Sequence, residues 1–215
     1  MPNWCLTEIR IKGRNKEETK GFYQKVESWM TNYRKTDFGS RWLGNILYNS
    51  GVDTPDKEKG EDFHYRCRGE ILDLNFSDDE VLIVTSTAWC PMIQMWKAVT
   101  DKYLPGAEIK YLAEEPGFDV WITNNPDYSE LYLIEVWGDS SWDDLTEEEA
   151  KAFDESELCD LEREEQLTQE EVLDILQSLF PEEKKEKLFD RYYDSNFTAI
   201  MTLKQWSWCD IEECA

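Results

Sequence analysis

Apolar and polar positions alternate along residues 3–12. Cys5, Thr7, Ile9 and Ile11 share one face, and Leu6, Glu8, Arg10 and Lys12 take the other. That period predicts a half-buried strand, which Gly13 ends. From about Glu17 to Arg34 the spacing becomes helical: Phe22, Val26, Trp29, Met30 and Tyr33 fall on one stripe. Residues 36–69 are irregular, with a short helix expected near Arg41–Leu47 and a mobile loop at Ser50–Lys57. Glu70–Phe76 and Val81–Ala88, joined by Ser77-Asp78-Asp79-Glu80, read as a hairpin. The unbroken run Val81-Leu82-Ile83-Val84 makes its second strand a central, covered one. Pro91 is expected in the first turn of a helix, where its missing N–H costs nothing. Ile93, Trp96, Val99 and Tyr103 give that helix a buried face, and Pro105-Gly106 stops it. Strands are predicted again at Ala107–Ala113, Phe118–Thr123 and Glu130–Trp137. The order β-α-β-β-α-β with two added strands predicts an α+β protein built on a ferredoxin-like split βαβ antiparallel sheet. The term names a chain path. The scattered cysteines do not have iron–sulfur ligand spacing.

The pattern changes at residue 139. Residues 139–190 hold 20 acids and 5 bases, whereas residues 1–138 hold 23 and 16. The expected division is therefore a ferredoxin-like domain over 1–138 and an acidic helical extension over 139–215. Thr146-Glu147-Glu148-Glu149 and Thr168-Gln169-Glu170-Glu171 both match the T-x-x-E capping box, in which hydroxyl and carboxylate satisfy each other's orphan N–H groups. Val172, Ile175, Leu176 and Leu179 follow the second box at helical spacing. Ala150, Phe153, Leu158 and Leu161 form a weaker stripe after the first. Pro181 starts another helix reaching about Tyr193, and Phe197–Trp208 reads as a final strand or aromatic packing segment.

Charge narrows the function classes. The 215 residues carry 47 acids against 23 bases, a formal −24. Such a surface repels phosphate backbones and anionic lipid, so neither direct nucleic-acid binding nor membrane binding is expected. No charged N-terminal leader and no membrane-length apolar run are visible, so a cytoplasmic protein is expected. The six cysteines (Cys5, Cys67, Cys90, Cys159, Cys209, Cys214) form no CxxC pair and read as reduced thiols. The acids around Cys209 and Cys214 are expected to raise their thiol pKa values. One histidine, His64, is present, and its ordinary reading is a partly buried residue leading into a strand. No nucleotide-binding, nucleophile-elbow or EF-hand pattern occurs. No catalytic residues, metal site or cofactor are expected.

Three short motifs resemble a known family. Met1-Pro2-Asn3-Trp4-Cys5, Thr87-Ala88-Trp89-Cys90-Pro91 and Glu114-Glu115-Pro116-Gly117-Phe118-Asp119 occur in the order seen in the YubB-type ferredoxin-like domain of plasmid and phage proteins. The resemblance spans about residues 1–138. It implies a ferredoxin-like fold and a mobile-element origin, and it implies no catalytic residues. Cys90 departs from the family, which more often has a small residue or proline there. Asn3, Trp4, Trp89, Pro91, Glu115 and Gly117 are expected to gather at one end of the sheet in a structural role.

The acidic helices are the best functional candidate. Glu147, Glu148, Glu149, Asp154, Glu155, Glu157, Asp160, Glu162, Glu164 and Glu165 extend over about 20 residues, or ~30 Å of straight helix. Joined to Trp142, they fit the basic channel of a nucleic-acid-binding host protein, since duplex DNA carries one charge per ~1.7 Å. The expectation is a phage or plasmid accessory protein acting by protein–protein interaction. It would be an acidic nucleic-acid mimic directed at a defence effector such as a CRISPR or restriction nuclease. The alternatives are a small-molecule enzyme with a pocket near His64, roofed by residues 36–69, and an assembly module pairing through a sheet edge. The pattern sets no oligomeric state.

Overall fold

The computed structural model describes residues 3–31, 39–56, 59, 61–115, 117, 120–129, 131–136, 151, 167–179, 181, 184–185, 187, 189 and 201–214. Two compact units emerge: Met1–Pro126 with Trp208–Ala215, and Asp127–Ser207. The change in composition at residue 139 thus falls inside the second unit, and the last residues belong to the first. Composition follows charge, whereas a unit follows packing, so the two boundaries need not coincide.

The first unit is a sheet with helices on one face. Strand β1 (Trp4–Lys12) leads to helix α1 (Lys16–Thr31), then to helix α2 (Leu43–Ser50). Strands β2 (Gly69–Ser77) and β3 (Glu80–Ala88) precede helix α3 (Ile93–Tyr103). Strands β4 (Glu108–Glu115) and β5 (Val120–Thr123) follow. In the second unit come β6 (Tyr132–Val136), α4 (Gln169–Leu179) and β7 (Met201–Gln205). The two-residue strand β8 (Ser207–Trp208) brings the chain back. The protein is therefore mixed α+β, with a six-stranded sheet in the order β2-β3-β1-β4-β5-β8. The pairs β2/β3, β3/β1, β1/β4 and β4/β5 are all antiparallel.

Strand alternation decides what enters the core. Cys5, Ile9 and Ile11 are fully buried on one face of β1, while Trp4, Leu6, Arg10 and Lys12 are exposed on the other. Val81 and Ile83 of β3 and Tyr111 and Ala113 of β4 join the buried side. Phe22 and Val26 of α1, Leu43, Ile46 and Leu47 of α2, and Ile93, Trp96 and Val99 of α3 pack on it. Each such aliphatic or phenyl side chain contributes roughly 1.5–3 kcal/mol by leaving water. Strand β3 is central, as its apolar run predicts, but Leu82 and Val84 are only half-buried because the helices cover the other face. Helix α3 begins at Ile93 with Met92 as its N-cap, so Pro91 lies just before the helix and not in its first turn.

The hairpin turn is formed by Asp78 (φ 48) and Asp79 (φ 64), the left-handed pair that a tight two-residue turn requires. The free edge of β2 is guarded. Trp42 bridges to Glu70, the Ile71 N–H donates to Arg41 O at 2.9 Å, and the Arg41 guanidinium donates to Leu72 O. A register shift between Ile71 and Asp73 breaks the ladder there as well. Such blocking disfavours pairing with another chain along that stretch of β2. Within Ser50–Lys57, expected to be a mobile loop, Ser50 and Asp53 are tied down. Ser50 O accepts from Lys102 Nζ and the Tyr103 hydroxyl, and Asp53 Oδ2 accepts the Tyr65 N–H at 2.9 Å. Its polar composition resembles a loose loop because its partners lie far away in sequence.

In the second unit β6 pairs antiparallel with β7, and Tyr132 bridges to Leu167. The second capping box closes as its residues predict: the Glu171 N–H donates to Thr168 Oγ1 at 3.3 Å, and the Thr168 N–H donates to Glu171 Oε2 at 2.7 Å. The Thr168 N–H and the Thr168 hydroxyl, which both donate to Glu171 Oε2, hold the Glu171 carboxyl below its usual range. Val172 and Leu176 are fully buried on the stripe that the spacing marks. The first box, Thr146–Glu149, lies outside the described residues. Among the described residues no helix is long and apolar enough to cross a membrane.

Candidate functional site

At one end of the first unit's sheet, two turns converge on the start of β1. Trp4 pairs with Ala88 of β3, and Leu6 pairs with Glu114 of β4. The Trp89 N–H donates to Asn3 O at 2.9 Å, which anchors the turn leaving β3. The Thr87 hydroxyl donates to Cys90 O at 2.8 Å and tightens the same turn. On the other side, the Gly117 N–H donates to Glu115 Oε1 at 2.9 Å, and Glu115 is buried. A Cβ on Gly117 would lie 2.2 Å from Asn3 Nδ2, so only glycine leaves room for that amide. Asn3, Trp89, Glu115 and Gly117 are thus brought into one joint, with Trp4 and Pro91 next to them in the chain. Most of this set is backbone carpentry.

Two members face outward. Trp4 is 53% exposed and Trp89 is 47% exposed. Trp89 stands on a left-handed backbone, φ 67, which costs an L-residue free energy. The Arg68 guanidinium lies 4.8 Å from the centroid of its ring, within cation–π range. Beside them opens a cleft of about 760 Å³, lined by Trp4, Trp42, Phe63, Tyr65, Arg66 and Arg68 together with Asp62, Cys67, Gly69 and Glu70. Trp42 and Phe63 meet edge to face at 5.7 Å. The sequence reading missed this cleft. The signal was present in 63–68, where exposed His64, Arg66 and Arg68 alternate with better-buried Phe63, Tyr65 and Cys67. The run is short and sits in a polar, irregular stretch, so its alternation does not stand out in the sequence.

A second, smaller pocket of about 170 Å³ is lined by His64, Arg66, Cys90, Pro91, Met92, Met95 and Cys214, with Tyr65 and Gln94. Arg66 Nη1 lies 3.5 Å from Cys90 Sγ. His64 is exposed, not partly buried as its neighbours imply, and its ring meets Tyr65 edge to face at 5.1 Å. Behind this pocket the Tyr111 hydroxyl reaches the end of the chain, 2.8 Å from Cys214 Sγ and 2.7 Å from Cys209 O.

Burial governs the ionisation of these groups. It pushes the Cys5 thiol up to about 11 and the Cys67 thiol up to about 12, the latter helped by Asp53 and Asp62. Cys214 rises to about 12, again chiefly through burial, and the Tyr111 phenol rises for the same reason. The expected rise at Cys214 is present, but its main cause is loss of water and not the neighbouring carboxylates. At neutral pH these thiols are protonated, which slows their attack on an external electrophile. Among the described residues no group of three or more His, Cys, Asp or Glu is placed to hold a metal ion.

The other tryptophans divide between core and surface. Trp96, Trp121 and Trp206 are buried, whereas Trp208 is 50% exposed. Trp137 and Trp142 lie outside the described residues, as do Glu147, Glu148, Glu149, Asp154, Glu155, Glu157, Asp160, Glu162, Glu164 and Glu165. Compared with family models, curated proteins and solved structures, the chain matches none.

Proposed function

We propose that this chain acts by binding another protein, as an accessory protein of a phage or plasmid, and that the cleft beside Trp4 and Trp89 is its anchoring surface. The observation that carries the reading is the exposure of two tryptophans beside an aromatic cleft with two arginines. Trp and Arg dominate the residues on which protein interfaces depend. Burying the exposed half of one such ring, roughly 120 Å², would contribute about 3 kcal/mol. The order β2-β3-β1-β4, with α1 and α3 in the crossovers, supports a ferredoxin-like split βαβ framework with added strands. With the three motifs, it supports kinship with the YubB-type domain.

The −24 charge complements this anchor. It steers a basic partner towards the chain and rejects nucleic acid itself. A nucleic-acid-handling host protein, such as a CRISPR or restriction effector, has the charge required. In this reading the acids of 147–165 stand in for phosphates. The pocket at His64, about 170 Å³, is below the ~300–1,000 Å³ of most small-molecule sites. That size speaks against a small-molecule site at His64 itself.

The test is affinity capture from host lysate in rising salt, with duplex DNA and RNA as competitors. Capture that weakens with ionic strength and yields to nucleic acid is expected. Trp4→Ala should weaken capture at every salt concentration, while charge reversal within 147–165 should flatten the salt dependence. Capture indifferent to salt would eliminate the mimicry, and capture indifferent to Trp4→Ala would eliminate the cleft.

A further inference from the structure

The last turn of the chain places two thiols in near-contact. Cys209 and Cys214 are five positions apart, and their sulfurs lie 3.1 Å from each other. Both residues are held from several sides. The Cys209 N–H donates to Thr123 O on β5 at 2.9 Å, and its carbonyl accepts the Tyr111 hydroxyl at 2.7 Å. The Cys214 N–H donates to Asp210 O at 3.3 Å. The phenol has a single hydrogen, which the Cys209 carbonyl takes. In the 2.8 Å contact with Tyr111 the Cys214 thiol is therefore the donor. Tyr111 itself is 1% exposed, so this arrangement rests on a fixed side chain. Orientation paid for by folding makes bond formation between the two sulfurs an intramolecular step at high effective concentration.

Exposure sets the order of events. Cys209 is half-buried and accessible, whereas Cys214 is buried. We infer that Cys209 and Cys214 form a thiol–disulfide exchange site for low-molecular-weight disulfides, with cationic ones preferred. The Cys209 thiol gives up its proton and attacks one sulfur of the incoming disulfide, releasing one small thiol and leaving a mixed disulfide on Cys209. The Cys214 thiol then attacks the Cys209 sulfur, and the second small thiol leaves with the proton. The protein loses two protons and two electrons, and the small disulfide gains them. The cationic preference follows from the exposed Asp210, Glu212 and Glu213 around the pair. Oxidation would also remove the S–H that Tyr111 now accepts and tie the chain end into a closed loop against the sheet.

The test incubates the full chain with cystamine, which is cationic, or glutathione disulfide, which is anionic, followed by intact mass and peptide mapping. The expected product has lost two hydrogen masses and yields a linked Cys209–Cys214 peptide. Cystamine should react roughly tenfold faster at low salt, with the gap closing as salt rises. Cys214→Ser should accumulate a stable mixed disulfide on Cys209, and Cys209→Ser should leave Cys214 unmodified. A wild-type chain that retains a mixed disulfide on Cys209, or keeps both thiols free under these conditions, would overturn the inference. Equal rates for the two disulfides would overturn the charge preference.

Discussion

Replacing Trp89 by alanine and by glycine separates the ring from the backbone beneath it. The residue sits at φ 67. An L-residue in that region costs roughly 1–2 kcal/mol, and glycine avoids the cost. Elsewhere in a chain glycine is the less stable of the two by roughly 0.5–1 kcal/mol, because it loses more freedom on folding. The two effects oppose each other here, and Trp89→Gly should be more stable than Trp89→Ala by about 0.5–1 kcal/mol. Both variants fall below the parent chain. Trp89 is 47% exposed, so about half of its area is buried, or ~3 kcal/mol. The Arg68 contact over the ring adds ~0.5–1 kcal/mol. Urea midpoints at unchanged slope measure the comparison, and amide exchange of β1 and β3 assigns it to the unit holding Trp89. Alanine equal to or more stable than glycine would refute the strained-turn argument. The partner-binding reading adds a second expectation: both variants lose capture to the same degree, since neither has the ring. A glycine variant that still captures the partner would show that the ring is no anchor.

Other changes test the frame around the site. Gly69→Ala should cost roughly 1–3 kcal/mol, because its Cβ would meet Ser86 O at 2.5 Å and Thr87 Cα at 2.8 Å across the strand. Gly21→Ala has nothing within 4 Å and should gain about 1 kcal/mol by helix propensity, so thermal melts of the two should move in opposite directions. Changing Asp78-Asp79 to Asn-Gly should raise stability by roughly 1 kcal/mol, because both positions are left-handed; an unchanged urea midpoint would count against the turn. Alkaline stability follows from the buried thiols. Their pKa values lie above the ordinary 9.0, at about 11 for Cys5 and about 12 for Cys67 and Cys214. The folded chain keeps protons that the unfolded chain loses, so this stability is complete below pH 9 and declines as pH rises towards 11–12. Each thiol removes about 1.4 kcal/mol per pH unit in that window. Cys67→Ala should flatten the fall seen in urea midpoints between pH 8 and pH 11.

The alternation of Cys5, Thr7, Ile9 and Ile11, the stripe of Phe22 and Val26, and the Thr168–Glu171 box were all legible. Each depends on neighbours within a few positions, and periodicity records that directly. The strand at 81–88 was legible too, although its run of four apolar residues overstated how far both faces are covered. The aromatic cleft was not legible. Its residues come from 4, 42 and 62–70, and nothing local says that those segments meet. The same holds for Ser50, whose polar surroundings read as a loose loop until Lys102 and Tyr103 are seen bonded to its carbonyl.

The sequence alone determined which side of each strand and helix is buried, because that depends only on a period of two or 3.6 set by backbone geometry. It also determined the net charge and so the class of partner worth testing. Tertiary structure decided that Asn3 joins Trp89, that Trp4 and Arg68 stand near one cleft, and that Tyr111 reaches Cys209 and Cys214 from 98 and 103 positions away. Those encounters depend on strand order and on the path of the returning chain. Both are outcomes of global packing that no local spacing contains.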